Sequence, residues 1–373
     1  MKIRGAVLEE IGRERPYRST RPLTVSELEL DGPGPDELLV RIEAAGVCHS
    51  DLSVIDGNRV RPVPMLLGHE AAGRIEQVGD GVDDLQVGQR VVLTFLPRCG
   101  DCEGCATDGR APCVRGSLTN NEGTLLRGTN RLERDGQEVK HHLGVSAFAT
   151  HAIVDRHSVV PVDDDVPPEV AAVLGCAVLT GGGAVVNAAN PKDGDVVMVV
   201  GLGGVGMAAL LTALAHAGVT VIGVDGVDDK LAAARALGAH ETYSPAELAE
   251  KGVKASIVIE AAGNARAFDS ALAATAPGGT TITVGLPSPD ASVDLKPLGL
   301  VAQGRTIVGS YLGSAVPARD IPVFAQMWRE GRLPVESLIS SRITLDGINV
   351  AMDQLADGVA IRQIISFEDG ATA

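Results

Sequence analysis

A chain of 373 residues with 45% apolar content is long enough for two domains, each with its own core. A formal net charge of −16 disfavours a nucleic-acid partner, because phosphate backbones are held by surplus Lys and Arg. Aromatic residues make up only 2%, so the cores have to be assembled from Ala, Val, Leu and Ile.

The start, Met1-Lys2-Ile3-Arg4, lacks the apolar stretch of a signal peptide, which fits a reducing cytoplasm. Residues 37–43, 71–78 and 90–94 alternate or run apolar between Gly and Pro breaks and predict short strands of an all-β domain. Residues 161–168, with Asp163, Asp164 and Asp165 inside, read as a solvated turn before an apolar helix over 170–174. After about residue 178 the pattern becomes strands at 196–200, 219–224, 257–260 and 280–284 separated by Ala/Leu-rich helices, which predicts βαβ units and a parallel sheet. Residues 196–215 carry no charge and are as long as a bilayer-crossing helix. The crowded glycines at 201, 203, 204 and 206 favour a buried strand, a tight turn and a helix instead, so no membrane partner is expected. From Pro317 onward the tail adds helices, one including residues 324–330, and a final strand near 361–367.

The six cysteines fall into two groups. Cys99, Cys102, Cys105 and Cys113 have C-x2-C-x2-C-x7-C spacing, which lets four thiolates close on one tetrahedral zinc and leaves no position open. Cys48 and Cys176 stand far apart, and His69, in Gly68-His69-Glu70, offers a third ligand of suitable softness if the fold gathers them. Three protein ligands leave one position for a reacting oxygen. A disulfide framework is the alternative, but so sparse a use of sulfur in a chain able to build large cores speaks against it.

Gly201-Leu202-Gly203-Gly204-Val205-Gly206 follows an apolar strand and opens a helix, the context a dinucleotide fingerprint requires. Its glycines admit a pyrophosphate to the helix N-terminus. Asp225 ends the next strand, 19 positions beyond Gly206, where a carboxylate accepts from ribose hydroxyls and repels a 2′-phosphate. Asp228 and Asp229 add to that repulsion, so NAD is expected over NADP.

With these motifs in this order the chain resembles the medium-chain, zinc-dependent alcohol dehydrogenases over nearly its whole length. The resemblance is carried by Gly46-Val47-Cys48-His49-Ser50-Asp51, Gly68-His69-Glu70, the cysteine lobe at about 97–115, Gly175-Cys176, the fingerprint, and Val221-Ile222-Gly223-Val224-Asp225. It implies an α/β fold: a GroES-like β-rich catalytic domain over 1–177, a Rossmann doubly wound NAD-binding domain over 178–316, and a return of 317–373 to the catalytic domain. It further implies two zinc ions per chain, a catalytic one on Cys48, His69 and Cys176 and a structural one on the four-cysteine set. Asp51 is similar to the carboxylate that fixes the His69 tautomer, and Glu70 to one lying behind the metal. Lys230 resembles a lysine near the adenosine ribose, while His49 and Arg362 resemble pyrophosphate contacts.

The implied activity is reversible hydride transfer between a primary or aryl alcohol and NAD. Ser50 matches the hydroxyl that takes the alcohol's proton. Many relatives end that relay on a histidine where this chain has Ser53, so water is expected to finish it. Phe95, Leu143, Leu286 and Tyr311 match pocket-lining positions. Arg115 with Arg59 and Arg61 suggests an alternative, oxidation of an S-hydroxymethyl thiol adduct as in thiol-dependent formaldehyde dehydrogenases. A non-enzymatic relative should have lost Cys48, His69 or Cys176, and all three are present. The resemblance also implies a homodimer, with a tetramer as the alternative, through an edge strand near 306–310 or the run near 280–286.

Overall fold

A computed structural model describes residues 1–367 and divides into two units. The first contains Met1–Cys176, Pro317–Ala325 and the described residues from Ile339 onward; the second contains Ala177–Val316 and Gln326–Leu338.

In the first unit, the three strands expected from apolar alternation are neighbours in one seven-stranded sheet, as Arg90–Leu93, Glu70–Val78 and Glu37–Val47. Alternation along Glu37–Val47 sends Leu38, Val40 and Ile42 into one core and Leu39 into another, as a period of two residues demands. The second core lies under a six-stranded sheet built on Lys2–Leu8 and Leu23–Leu30, an antiparallel pair. The tail re-enters the seven-stranded sheet: Gln363–Ser366 runs antiparallel to Glu37–Val47, with Gln363 opposite Val47.

The second unit carries a six-stranded, wholly parallel sheet. Taken across the sheet, its strands are Glu241–Tyr243, Thr220–Val224, Val196–Val200, Ala255–Glu260, Thr275–Thr283 and Thr306–Gly309. This is the 3-2-1-4-5-6 order of the doubly wound fold, whose strand order reverses beside Val196–Val200. The uncharged run that imitates a membrane span is a strand, Val196–Val200, then a turn, then the buried helix Gly204–Leu214.

Two segments depart from expectation. Gln326–Leu338 groups with the second unit, not with the rest of residues 317–373, because Met327, Leu333, Val335 and Leu338 are buried and the turn Val335–Leu338 packs on Gly204–Leu214. The helix expected over 170–174 starts at Pro168 and continues through π-helical turns to Ala189. That run is long and apolar enough to cross a membrane, and its most apolar stretch is 89% buried within the protein.

Candidate active site

Strand register brings the first ligand pair together. Gly46 stands opposite Glu70 in the antiparallel ladder, so the residues just beyond each, Cys48 on one strand and His69 on the other, leave the sheet side by side. Cys48 then caps the helix His49–Ile55. Gly68 permits the approach to His69: its φ is +94°, and a Cβ there would lie 2.4 Å from the Phe148 backbone nitrogen. Cys176 comes from the π-helical turn Leu174–Val178, whose leading helix Pro168–Val173 packs on Glu37–Val47 and Glu70–Val78. A wide turn of this kind displaces a side chain from the regular helical phase. The ligand atoms of Cys48, His69 and Cys176 lie within 4.8 Å of one another, and all three residues are buried. Cys176 Sγ is 3.5 Å from His69 Nε2. Tetrahedral zinc with ordinary Zn–S and Zn–N bonds sets that separation at about 3.6 Å, so the donor set fits the ion.

Asp51 is fully buried and serves as the hub behind His69. It accepts backbone N–H bonds from Cys48 and Gly68, both at 3.2 Å, and its Oδ1 lies 2.9 Å from His69 Nδ1. That contact turns Nε2 of His69 toward the cysteines. Burial alone would lower the His69 pKa, but the charges of Asp51 and Cys48 outweigh it and hold it well above the ordinary value. A hydrogen bond to Cys176, with the charges of Arg362 and His69, draws the Cys48 thiol well down, whereas sharing with Cys48 and burial push Cys176 up.

Two further buried side chains neighbour this site, and only the first of them, Arg362, is expected from the resemblance. Arg362 is buried, with Nη1 donating to the Val47 carbonyl at 3.0 Å and Nε 3.4 Å from Glu70 Oε1. Burial pushes the Glu70 carboxyl up to about 7 against the pull of that guanidinium. Within the first unit Arg362, expected as a pyrophosphate contact, is seen beside Glu70 and Val47. The second neighbour is His142, next in sequence to the expected pocket residue Leu143 but not itself anticipated. It is buried, with its Nδ1 3.3 Å from Asp51 Oδ1.

The four-cysteine lobe assembles as its spacing predicts. The Sγ separations are 3.5 Å for Cys99–Cys113 and 3.9 Å for Cys99–Cys105 and Cys102–Cys113. Disulfides would need about 2.0 Å, while tetrahedral Zn–S bonds give edges of about 3.8 Å. Backbone N–H groups of Cys99, Cys105, Val114 and Gly116 point at the sulfurs of Cys102 and Cys113 over 3.3–3.4 Å, as thiolates require. Those of Cys105 and Val114 bring Cys102 down to about 6 against the opposing effect of burial, which pushes Cys99 up to about 12.

The glycine turn of the second unit divides its tasks as a dinucleotide needs. Gly201 has φ +92°, and a Cβ on it would strike the Ala262 backbone at 2.6 Å; one on Gly206 would strike the Gly201 carbonyl at 1.8 Å. Around Gly203 nothing lies within 4 Å of such an atom, which leaves the approach for a phosphate. Gly204 and Val205 begin the helix Gly204–Leu214. Asp225 sits just past Thr220–Val224, with Oδ2 accepting from the Leu202 N–H at 2.7 Å and Oδ1 from the Val227 N–H at 3.0 Å. The carboxylate is thereby fixed to the glycine turn itself, and Lys230 lies on the first turn of Asp228–Ala236.

The remaining expected residues divide between the units. His49 is exposed and Ser50 half-buried on the first turn after Cys48; the Ser53 hydroxyl donates to the Ser50 carbonyl at 2.9 Å. Phe95 stands edge-on to His69 with centroids 5.5 Å apart, and Leu143 is buried with φ +53°. Leu286 and Tyr311 belong to the second unit, both exposed. Arg115 pairs with Asp101 at 3.2 Å inside the cysteine lobe.

Comparison with known proteins agrees with this architecture. Residues 34–164 match the alcohol dehydrogenase GroES-like domain, and residues 204–330 match the zinc-binding dehydrogenase family. The NDMA-dependent alcohol dehydrogenase of Amycolatopsis methanolica is 36% identical over 98% of this chain and 99% of its own. Benzyl alcohol dehydrogenase from Acinetobacter calcoaceticus superposes with a TM-score of 0.89 at 30% identity, covering 99% of this chain and all of its own. An alcohol dehydrogenase zinc-binding domain protein from Burkholderia ambifaria gives 0.91 at 31% identity, over 99% of this chain and all of its own. A likeness spanning both units and nearly every residue places the chain in the medium-chain, zinc-dependent alcohol dehydrogenase family, a family of oxidoreductases.

Proposed function

We propose that the protein is a zinc-dependent alcohol dehydrogenase that transfers hydride reversibly between a primary or aryl alcohol and NAD. The observation that carries the reading is the buried Cys48–His69–Cys176 set, oriented by Asp51 and distinct from a four-thiol site that leaves no position open. Bound at the three-ligand set, zinc would supply Lewis acidity toward an alcohol or carbonyl oxygen, with NAD as hydride acceptor. The chain's own groups do the rest. Asp51 holds the His69 tautomer, and Phe95 offers apolar wall beside that ring. Ser50 takes the alcohol proton, and Ser53, which spends its hydroxyl on the Ser50 carbonyl and is no base near neutral pH, leaves water to complete the route. Asp225, fixed by Leu202 and Val227, presents negative charge where a 2′-phosphate would fall, which supports NAD over NADP.

The name of the benzyl alcohol dehydrogenase favours an aryl substrate. The thiol-adduct alternative has less support, since Arg115 is engaged by Asp101. NAD reduction by the purified protein, screened over aliphatic, benzylic and allylic alcohols and over formaldehyde with low-molecular-weight thiols, tests the reading. Turnover of benzylic or primary alcohols without thiol is the expected result. Activity only with thiol would move the substrate class, and activity only when NDMA is added, as the name of the Amycolatopsis relative would suggest, would overturn NAD as the exchangeable acceptor.

We also propose a homodimer. The strand Thr306–Gly309 is an edge of the parallel sheet, and the preceding helix Pro297–Gln303 exposes Leu298 and Val301 by 78% and 80%. Light scattering should give twice the chain mass; a monomer, or a dimer untouched by Leu298→Asp with Val301→Asp, would contradict it.

A further inference from the structure

The His142 ring has no part in the reaction outlined above, yet the chain goes to some length to place it. The residues after it form a constrained turn, with Leu143 at φ +53°, Gly144 at +65° and Ser146 at +53°. Left-handed backbone at two non-glycine residues persists only where the surroundings enforce it. Here they do: the His142 N–H donates to Ser146 Oγ at 2.8 Å, and the Ser146 hydroxyl donates to the Leu66 carbonyl at 2.9 Å. The Ala147 N–H donates to the Gly68 carbonyl at 3.0 Å. The turn is thereby tied to the segment that carries His69. The His142 ring stands perpendicular to His69, at an interplanar angle of 88° and 5.6 Å between centroids. Its Nδ1 is buried, makes no hydrogen bond of good geometry to any described residue, and lies 3.3 Å from Asp51 Oδ1.

We propose that His142 is a positioning residue of the zinc site: its Nδ1 lies within ion-pair reach of the Asp51 oxygen that also takes the His69 Nδ1–H, so that one carboxylate orients two imidazoles and the outer ring holds the inner assembly in place. A second cation between Asp51, His69 and His142 is the competing use of the same atoms. The backbone N–H groups of Gly68 and Cys48 already donate to that carboxylate, an arrangement suited to a hydrogen-bonded anion and not to a metal. Carboxylates behind ligating histidines tune metal affinity by tenfold to a hundredfold, and a residue that fixes such a carboxylate acts through the same lever.

The inference rests on zinc binding at Cys48, His69 and Cys176, and the test separates the two. Zinc release to a chromogenic chelator is followed for the full-length zinc-loaded wild type, His142→Leu and His142→Asn. Two zincs per chain in the wild type, one of them released about tenfold or more faster in His142→Leu and largely restored in His142→Asn, whose amide retains a donor, is the expected result. With cobalt in the labile site, the visible bands of His142→Leu should move and those of His142→Asn should return toward the wild type. Unchanged release and superimposable spectra overturn the proposal alone; a single zinc in the wild type overturns the zinc reading beneath it; a third zinc favours the competing cation site and overturns the positioning role. If His142→Leu does not fold, nitrogen NMR of histidine-labelled wild type decides. A proton on Nδ1 of His142 supports the proposal, and an Nε2–H tautomer refutes it.

Discussion

Replacing Asp51 with Asn changes one atom at the centre of the site and should be felt well beyond it. The carboxylate accepts from Cys48 N–H on one oxygen, and from Gly68 N–H and the His69 ring on the other. An amide offers one oxygen. Placed toward Gly68 and His69, it turns its NH2 on the Cys48 N–H and leaves a buried donor unmet, at a cost of about 1–3 kcal/mol. The bonds that survive lose their ionic component, another ~1 kcal/mol. A total of about 2–4 kcal/mol in a unit of this size corresponds to a fall in thermal midpoint of roughly 5–15 °C. Zinc affinity should weaken about tenfold to a hundredfold. Calorimetry of the zinc-loaded Asp51→Asn protein, with metal competition and kcat/KM beside it, reads all three. A variant that melts within about 2 °C of wild type and keeps its zinc would show that the carboxylate does not hold His69, and the reasoning would fail.

Cys113→Ser should remove one zinc and lower the thermal midpoint while the surviving folded fraction keeps its alcohol turnover; loss of turnover with full stability would contradict a structural role, as judged by activity per folded molecule. Asp225→Ala should raise the KM for NAD and lower that for NADP, since both the ribose acceptor and the charge opposing a 2′-phosphate are gone; an unchanged ratio of the two KM values would remove Asp225 from cofactor choice. Ser53→His places an imidazole where the proton route ends on water. Such a group loses its proton between about pH 6 and 8, so hydride transfer in the variant should gain a rise with pH that the wild type lacks, and identical single-turnover pH profiles would sink the relay.

The parallel sheet was readable because fully buried strands are written as unbroken apolar runs, and the four-thiol lobe because its spacing is local. The long helix was not. Its sequence contains Gly181-Gly182-Gly183, which as intrinsic propensity should end a helix. The glycines are there because backbone passes too close for a side chain: a Cβ on Gly181 would lie 2.0 Å from the Val205 carbonyl, and one on Gly183 2.7 Å from that of Gly313. Tertiary packing overrode the local signal. The metal ligands Cys48, His69 and Cys176 could be named from motif but not joined, since what joins them is the ladder register of Gly46 with Glu70 and a π-helical turn. His142 carried no sequence signal at all, and Arg362 was named as a cofactor contact with no sign that it would stand beside Glu70. His142 reaches Asp51 across 91 positions through a strained turn, and Arg362 is led to Glu70 by the returning strand Gln363–Ser366.

Elemental analysis of freshly purified protein tests the central claim, that one set of cysteines braces the fold and the other holds a reactive metal. Wild type should carry two zincs per chain, and Cys176→Ser should keep one while losing NAD-linked alcohol oxidation. A wild type with one zinc that survives Cys176→Ser would contradict the account.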